Sequence, residues 1–295
     1  MKTFFVLLMA ISLIQIDISA QKDSTSFYGH RGCRGLYPEN TLEAFEHAID
    51  LGVDGIEWDV IVSKDKKLII SHEPFLDASY CFNKEGKEIS ASEGKKVNFY
   101  ELTAEEIQQF DCGSKVNSKF PDQLMIKTYK PTVQEAFEKL NLKDVTILFE
   151  IKSERSDYSI YQPEPKEYAK LIAAEIEDFE FKANIIFMCF DGNLLDELHQ
   201  ILPDYRYVYL TYKPFTSVKT FLKQISFTPY ALGMYHPTIR KRDVKLLGNQ
   251  GIKTFAWTVN KPEHSNKLMR YGVSGIITDY PDSVKRTTHP VDNQK

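Results

Sequence analysis

The feature that most restricts this chain is an alternation sustained over most of its length: short apolar runs take turns with amphipathic stretches of helical period. Alternation of that kind predicts parallel strands joined by crossover helices, because a parallel connection needs a long return segment that is usually a helix. Eight runs qualify as strands, at 27–29, 55–62, 145–151, 184–190, 205–210, 231–235, 253–259 and 275–278. Helices are predicted between them at 41–51, 132–140, 167–177, 192–202, 217–225, 242–249 and 262–271. Asn40 with Glu43 and Thr132 with Glu135 have the spacing of N-terminal capping pairs, and Gly52, Gly251 and Gly272 stand where a helix needs a left-handed residue to stop. The segments Gly52-Val53-Asp54-Gly55-Ile56 and Gly272-Val273-Ser274-Gly275-Ile276 share one form. Each leads through a turn and a strand to an Asp, at Asp59 and Asp279, and in parallel barrels the C-terminal end of a strand carries the active site.

Residues 73–129 break the alternation. They are rich in Lys, Glu, Ser and Asn, with one clear helix around 104–110 capped by Thr103 and Glu106. So long a stretch is too much for an ordinary loop and predicts an insertion or small subdomain after the second strand. A second polar segment, 153–165, leaves from the same end of the strands, so the two are expected to wall a pocket together. After 283 the chain reads as a short polar tail, to 295.

The N-terminus reads differently. Lys2 precedes an apolar run from Phe4 to Ile16, then Ile18-Ser19-Ala20, the pattern of a secretory signal peptide over 1–20 cut near Ala20. The run is shorter than the roughly 20 residues a membrane span needs, so no stable membrane insertion is expected. The mature part, 21–295, is expected in the periplasm or outside the cell, where disulfides are permitted. Of the four cysteines, Cys81 and Cys112 share the irregular stretch and either pair or remain buried thiols. The formal charge of −4 lacks the basic footprint of a nucleic-acid binder.

The chemistry is concentrated in three places: Gly29-His30-Arg31-Gly32, Glu57-Trp58-Asp59 with the following Ser71-His72, and Glu150-Ile151-Lys152. Strand side chains alternate in direction, so Glu57 and Asp59 share one face, as do Glu150 and Lys152. In a barrel that face points into the mouth. Three carboxylates there repel one another by roughly 4 kcal/mol per pair at about 4 Å and an effective dielectric near 20, so a cation or raised pKa values must compensate. All-oxygen ligation favours Ca2+ or Mg2+ over zinc. Two histidines, a divalent ion, Arg31 and Lys152 suit displacement at a small-molecule phosphodiester. The serine-hydrolase elbow, P-loop, zinc-protease and dinucleotide signatures are all missing. His47, His199, His236, His264 and His289 are read as structural or exposed.

At these residues the sequence resembles the glycerophosphodiester phosphodiesterase family. The resemblance is carried by His30-Arg31-Gly32, Pro38-Glu39-Asn40-Thr41, Glu57-Trp58-Asp59, Ser71-His72-Glu73-Pro74, Glu150-Ile151-Lys152, 256–260 and 275–281, in order along nearly the whole mature chain. It implies a TIM barrel with an insertion after the second strand. It implies that His30 and His72 form an acid/base pair and that Glu57, Asp59 and Glu150 hold the metal. Arg31 and Lys152 would bind phosphate, and Trp257 would line the glycerol side. Asp279 is read as structural. The implied reaction cleaves a glycerophosphodiester to glycerol 3-phosphate and an alcohol. The alternatives are a lipid-directed phosphodiesterase on the same barrel, of the lysophospholipase D or phosphatidylinositol phospholipase type, and a non-enzymatic surface binding protein. Oligomeric state is not legible.

Overall fold

The computed structural model describes residues 25–288 apart from 213 and 215; the leader expected at 1–20, His289 and the end of the tail lie outside them. Along the chain run β1 (Ser26–Gly29), α1 (Leu42–Asp50), β2 (Gly55–Val62), β3 (Leu68–Ile70), α2 (Ala91–Gly94), α3 (Ala104–Ile107), α4 (Val133–Lys139), β4 (Thr146–Ile151), α5 (Pro165–Ile176), β5 (Ile185–Cys189), α6 (Gly192–Ile201), β6 (Arg206–Thr211), α7 (Val218–Leu222), β7 (Ala231–Tyr235), α8 (Lys241–Gly248), β8 (Lys253–Trp257), α9 (Pro262–Tyr271), β9 (Gly275–Thr278) and α10 (Pro281–Thr288). All eight expected strands form. They pair in parallel in the order β1-β2-β4-β5-β6-β7-β8-β9, and β9 closes on β1 through Phe27 opposite Ile276 and Gly29 opposite Thr278. The result is the TIM barrel.

Two faces of each strand build two cores. The outward set, including Ile56, Trp58 and Val60 of β2, packs under the helices. Trp58 is fully buried, with its ring against Phe45 of α1, Phe137 of α4 and Phe149 of β4. The inward set fills the barrel with Tyr28, Leu148, Ile186, Met188, Val208, Leu210, Ala231, Phe255 and Ile277. Two residues on from these plugs, the period-two rule delivers His30, Glu150, Phe190, Tyr212, Trp257 and Asp279 toward the mouth. Gly55 is required where β2 starts: a Cβ there would lie 2.2 Å from the Thr146 carbonyl oxygen of β4.

The structure departs from the sequence expectations in three places. α1 is capped by Thr41, whose hydroxyl accepts from the Ala44 amide, and not by Asn40, whose side chain is spent on Asp59. A ninth strand, β3, folds back antiparallel on β2, with Val60 opposite Ile70 and Val62 opposite Leu68; three residues are too few to show a period. The expected polar tail begins instead as α10, which Pro281 starts and which buries Val284.

The β3 hairpin roots the insertion. Ile61 shares the face of Glu57 and Asp59 but stands one step beyond the rim, where it joins Ile69, Leu76, Tyr80, Phe99, Ile107 and Phe110 in a separate small core. Cys81 and Cys112 pair within it, while Cys33 and Cys189 are buried free thiols. The segment after β4 meets the insertion as expected: Asn98 Nδ2 donates to the Ile160 carbonyl at 2.8 Å, and the rings of Phe75 and Tyr161 are 6.2 Å apart. Among the described residues, no helix is long and apolar enough to cross a membrane.

Linking residues separated by 31 positions removes loop entropy from the unfolded chain. The double variant Cys81→Ser/Cys112→Ser is therefore expected to lose about 3–4 kcal/mol in urea unfolding at neutral pH. Unchanged stability would mean that the bond adds no constraint to the unfolded chain.

Candidate functional site

β1 pairs with β2 only at Gly55 and Ile56, and β3 takes over at Val60, so one edge of β2 is unpaired by strands from Glu57 to Asp59. The turn after β1, with Ser71 just after β3, fills that gap. The Glu57 carbonyl accepts from the Gly32 amide at 3.2 Å, the Asp59 amide donates to Asn40 Oδ1 at 3.2 Å, and the Asp59 carbonyl accepts from the Ser71 amide at 2.9 Å. Gly32 is obligatory in this turn. Its φ is +86°, and a Cβ would sit 2.7 Å from the backbone of Ala44 in α1. The same turn directs the Arg31 amide onto Glu57 Oε2 at 2.7 Å.

Glu57, Asp59 and Glu150 each present a carboxylate oxygen within 4.8 Å of the others, and all three residues are buried. The surrounding charges divide them. Burial raises the Glu57 pKa, and its neighbours Asp59 and Glu150 push it further, well above the usual carboxylate range. Burial also opposes ionisation of Asp59, but Arg31, His72, Lys152 and the Asn40 amide outweigh it and hold that pKa well below the usual range. Asn40 Nδ2 donates to Asp59 Oδ2 at 2.8 Å, and Arg31 Nε lies 3.2 Å from the same oxygen. Lys152 Nζ lies 2.6 Å from Glu150 Oε1 and 3.5 Å from Asp59 Oδ1. Burial lowers its pKa less than Glu150 and Asp59 raise it, so Lys152 is firmly cationic.

Two of the carboxylate oxygens, Glu57 Oε1 and Asp59 Oδ1, are buried without a hydrogen-bond partner among the described residues. Buried polar atoms are rarely left unsatisfied. A hard divalent cation between three carboxylates would satisfy both, so the donor set fits such an ion.

Around this cluster stand the remaining groups expected from the sequence. His30 Nδ1 lies 2.6 Å from Asp279 Oδ1, and its Nε2 lies 3.9 Å from Glu57 Oε2. His72 contacts the Glu73 carboxylate through Nδ1. Both rings thus spend Nδ1 on a carboxylate and keep Nε2 for other work. A cavity of about 1210 Å³ is bordered by His30, Arg31, Glu57, His72, Glu150, Lys152 and Trp257, seven of the eight expected site residues. The eighth, Asp59, lies beneath, 1% exposed. Trp257 stands edge-on to Phe190 at 5.5 Å.

Sequence reasoning missed two residues. Asp279, read as structural, orients His30 and is itself held by Asn260 Nδ2 at 2.6 Å. Glu39 accepts from Arg31 NH1 at 2.5 Å and forms an ion pair with Arg34 Nε at 2.5 Å, while the buried Lys130 ammonium donates to its backbone carbonyl at 2.8 Å. Burial acts against the charged Glu39, but Arg31, Arg34 and Lys130 outweigh it and hold its pKa well below normal. Arg31, expected on phosphate, therefore spends part of its guanidinium on Glu39 and Asp59. The G-V-x-G-I repeat ending at Asp279 and the acidic residue before Asn40 were the available signals. Outside the site, His47 stacks on Tyr37, His199 stacks on Phe227, and His236 faces His264.

Comparison with known proteins settles the family. Residues 30–283 match the model of the glycerophosphoryl diester phosphodiesterase family. The chain belongs to that family. A glycerophosphodiester phosphodiesterase of Caldanaerobacter subterraneus is 31% identical over 260 residues, covering 88% of this chain and 96% of that protein. A solved structure from Silicibacter pomeroyi superposes with a TM-score of 0.80 at 25% identity, over 90% of this chain and 93% of the other. An Oleispira antarctica phosphodiesterase, solved with the product sn-glycerol-3-phosphate, has a TM-score of 0.72 at 20% identity, over 90% of this chain and 97% of its own. The protein is thus a phosphodiesterase on a TIM barrel, and the acidic triad lies where such barrels carry their active sites.

Two outcomes are expected from the residues the sequence missed. Asp279→Asn removes the carboxylate that anchors His30 Nδ1, and, with the acid/base role that the sequence resemblance implies for that imidazole, should lower kcat by about 10²–10³-fold with little change in KM. An unchanged kcat would leave Asp279 a purely structural residue. The depressed Glu39 pKa means that its stabilisation is present above its unfolded value, near 4.5, and is lost as pH falls below it. Glu39→Gln should cost about 3 kcal/mol at pH 7 and flatten the acid limb of stability against pH. Parallel acid limbs in wild type and variant would contradict the assignment.

Proposed function

We propose that this phosphodiesterase cleaves glycerophosphodiesters to glycerol 3-phosphate and an alcohol, using one divalent cation, Ca2+ or Mg2+, and the two histidines. The observation that carries the reading is the buried Glu57, Asp59 and Glu150 cluster, with two unsatisfied oxygens, flanked by two imidazoles that each have Nδ1 anchored. The product bound in the Oleispira antarctica relative supports the substrate class.

A cation held by the three carboxylates would neutralise charge on the non-bridging oxygens and favour an oxygen nucleophile. The chain's own groups supply the rest. Lys152, held cationic between Glu150 and Asp59, places its ammonium at the cavity wall to pair with a non-bridging oxygen. Arg31 keeps Glu57 and Asp59 in place through its amide and guanidinium and offers its remaining donors to the phosphate. Nε2 of one histidine takes the proton from the nucleophile, which is either water, giving glycerol 3-phosphate directly, or the substrate's glycerol hydroxyl, giving a cyclic phosphate that a water then opens to glycerol 3-phosphate. Nε2 of the other protonates the leaving alcohol as the P–O bond breaks. Asp279 and Glu73 fix the two rings and stabilise whichever becomes imidazolium. Trp257 and Phe190 give the glycerol moiety an apolar wall.

We further propose that the enzyme works outside the cytoplasm. The signal-peptide pattern at 1–20 and the Cys81–Cys112 pair both support an oxidising compartment.

With glycerophosphocholine as substrate, EDTA is expected to abolish turnover and added Ca2+ or Mg2+ to restore it. His72→Ala should lower kcat by about 10²–10⁴-fold. Full activity in EDTA, or in the His72 variant, would refute the mechanism.

A further inference from the structure

The cavity has two aromatic walls, and the proposed reaction accounts for only one. Phe190, Tyr212 and Trp257 follow or end β5, β6 and β8. On the other side, above β2 and β4, the insertion contributes Phe75 and the segment after β4 contributes Tyr161. Their ring centroids are 6.2 Å apart at an interplanar angle of 62°, so the rings form a corner rather than a stack. The corner is built rather than accidental. Phe75 pairs with Asn98 by a β-bridge, Asn98 Nδ2 donates to the carbonyl of Ile160 at 2.8 Å, and the Tyr161 amide donates to the Asp157 carbonyl at 2.9 Å. Both rings border the cavity and are half-buried.

The charges on this wall matter as well. Glu154 and Asp157 line the cavity, and neither has an ion-pair partner among the described residues. Arg155 and Lys95 border it too and keep their charge, with Arg155 NH2 drawn toward α6, where it donates to Asn193 Oδ1 at 2.8 Å. Phe75 lies three residues beyond His72, so the corner adjoins the acid/base group farther from Trp257 along the barrel order. With glycerol against Trp257, the leaving alcohol faces this corner.

We propose that Phe75 and Tyr161, with Glu154 and Asp157, form a subsite for the departing alcohol that selects a cationic amino alcohol, with a quaternary ammonium favoured over a neutral polyol. This rests on the function proposed above. An organic cation within about 6 Å of an aromatic face is attracted by the ring quadrupole, and both rings of this edge-to-face pair border the cavity. Glu154 and Asp157 add an attraction that Arg155 and Lys95 partly offset and that salt screens.

The test compares kcat/KM on three diesters of glycerol phosphate, those of choline, ethanolamine and glycerol, in the metal-loaded full chain. Wild type should prefer the choline ester to the glycerol ester by about tenfold, near the value of one desolvated cation–π contact. Phe75→Leu and Tyr161→Leu keep apolar bulk but remove the π face, and each should reduce that preference by about fivefold. Glu154→Gln combined with Asp157→Asn should reduce it for both cationic esters and weaken its dependence on salt. Each preference is a ratio within one variant, so any fraction of protein that fails to fold cancels. No wild-type preference, a preference for the neutral ester, or ratios unmoved by all variants would overturn the subsite while leaving the function intact. Absence of turnover on every diester would overturn the function and the subsite together.

Discussion

Burying three carboxylates within 4.8 Å of one another is the constraint around which this structure is arranged. At an effective dielectric near 20, each like-charge pair at about 4 Å costs roughly 4 kcal/mol, comparable to a sizeable share of a domain's stability. The fold meets that cost locally. The Arg31 amide and guanidinium, the Asn40 side chain and Lys152 all converge on Glu57, Asp59 and Glu150. The compensation is incomplete, since Glu57 stays poised toward its protonated form and two oxygens have no hydrogen-bond partner among the described residues. That deficit is what makes the three carboxylates a fitting donor set for a divalent cation.

Secondary structure around the cluster follows from the same need. β1 ends after Gly29, so the turn through His30, Arg31 and Gly32 can reach the free edge of β2. There it contributes both backbone donors and a cation. A longer β1 would satisfy that edge with ordinary ladder bonds and leave no place for Arg31 or Asn40. β3 then resumes pairing beyond the rim and anchors the insertion, whose own core begins at Ile61. One strand therefore carries a dry outer face, an acidic inner face and the root of the roof over the cavity.

Arg31 shows how position changes what a side chain can do. A guanidinium free in a cavity is a ready phosphate ligand; here it is the counter-ion of Asp59 and the partner of Glu39. Glu39 is in turn held by Arg34 and by the buried Lys130, the residue that follows the insertion. The insertion is thereby connected to the acidic centre through hydrogen bonds and charge, as well as forming the cavity wall.

Much of this was legible in the residues alone. Period-two alternation put Glu57 with Asp59 and Glu150 with Lys152, and the eight apolar runs identified the barrel strands within one or two residues at most of their ends. These properties are local: strand geometry dictates which neighbours share a face, and a run of apolar side chains has few alternatives to burial. Only the tertiary structure decided the contacts that depend on closing the barrel. Asp279 meets His30 across 249 positions because β9 pairs with β1, and Glu39 meets Lys130 across 91 because the insertion folds back over α1. β3 was hidden because three residues carry no period, and its pairing depends on β2 projecting beyond its neighbour. The sequence by itself thus determined which chemical groups would face the barrel mouth. Tertiary structure decided which of them would be spent holding one another, because Coulombic and hydrogen-bond energies depend on separation in space and not along the chain.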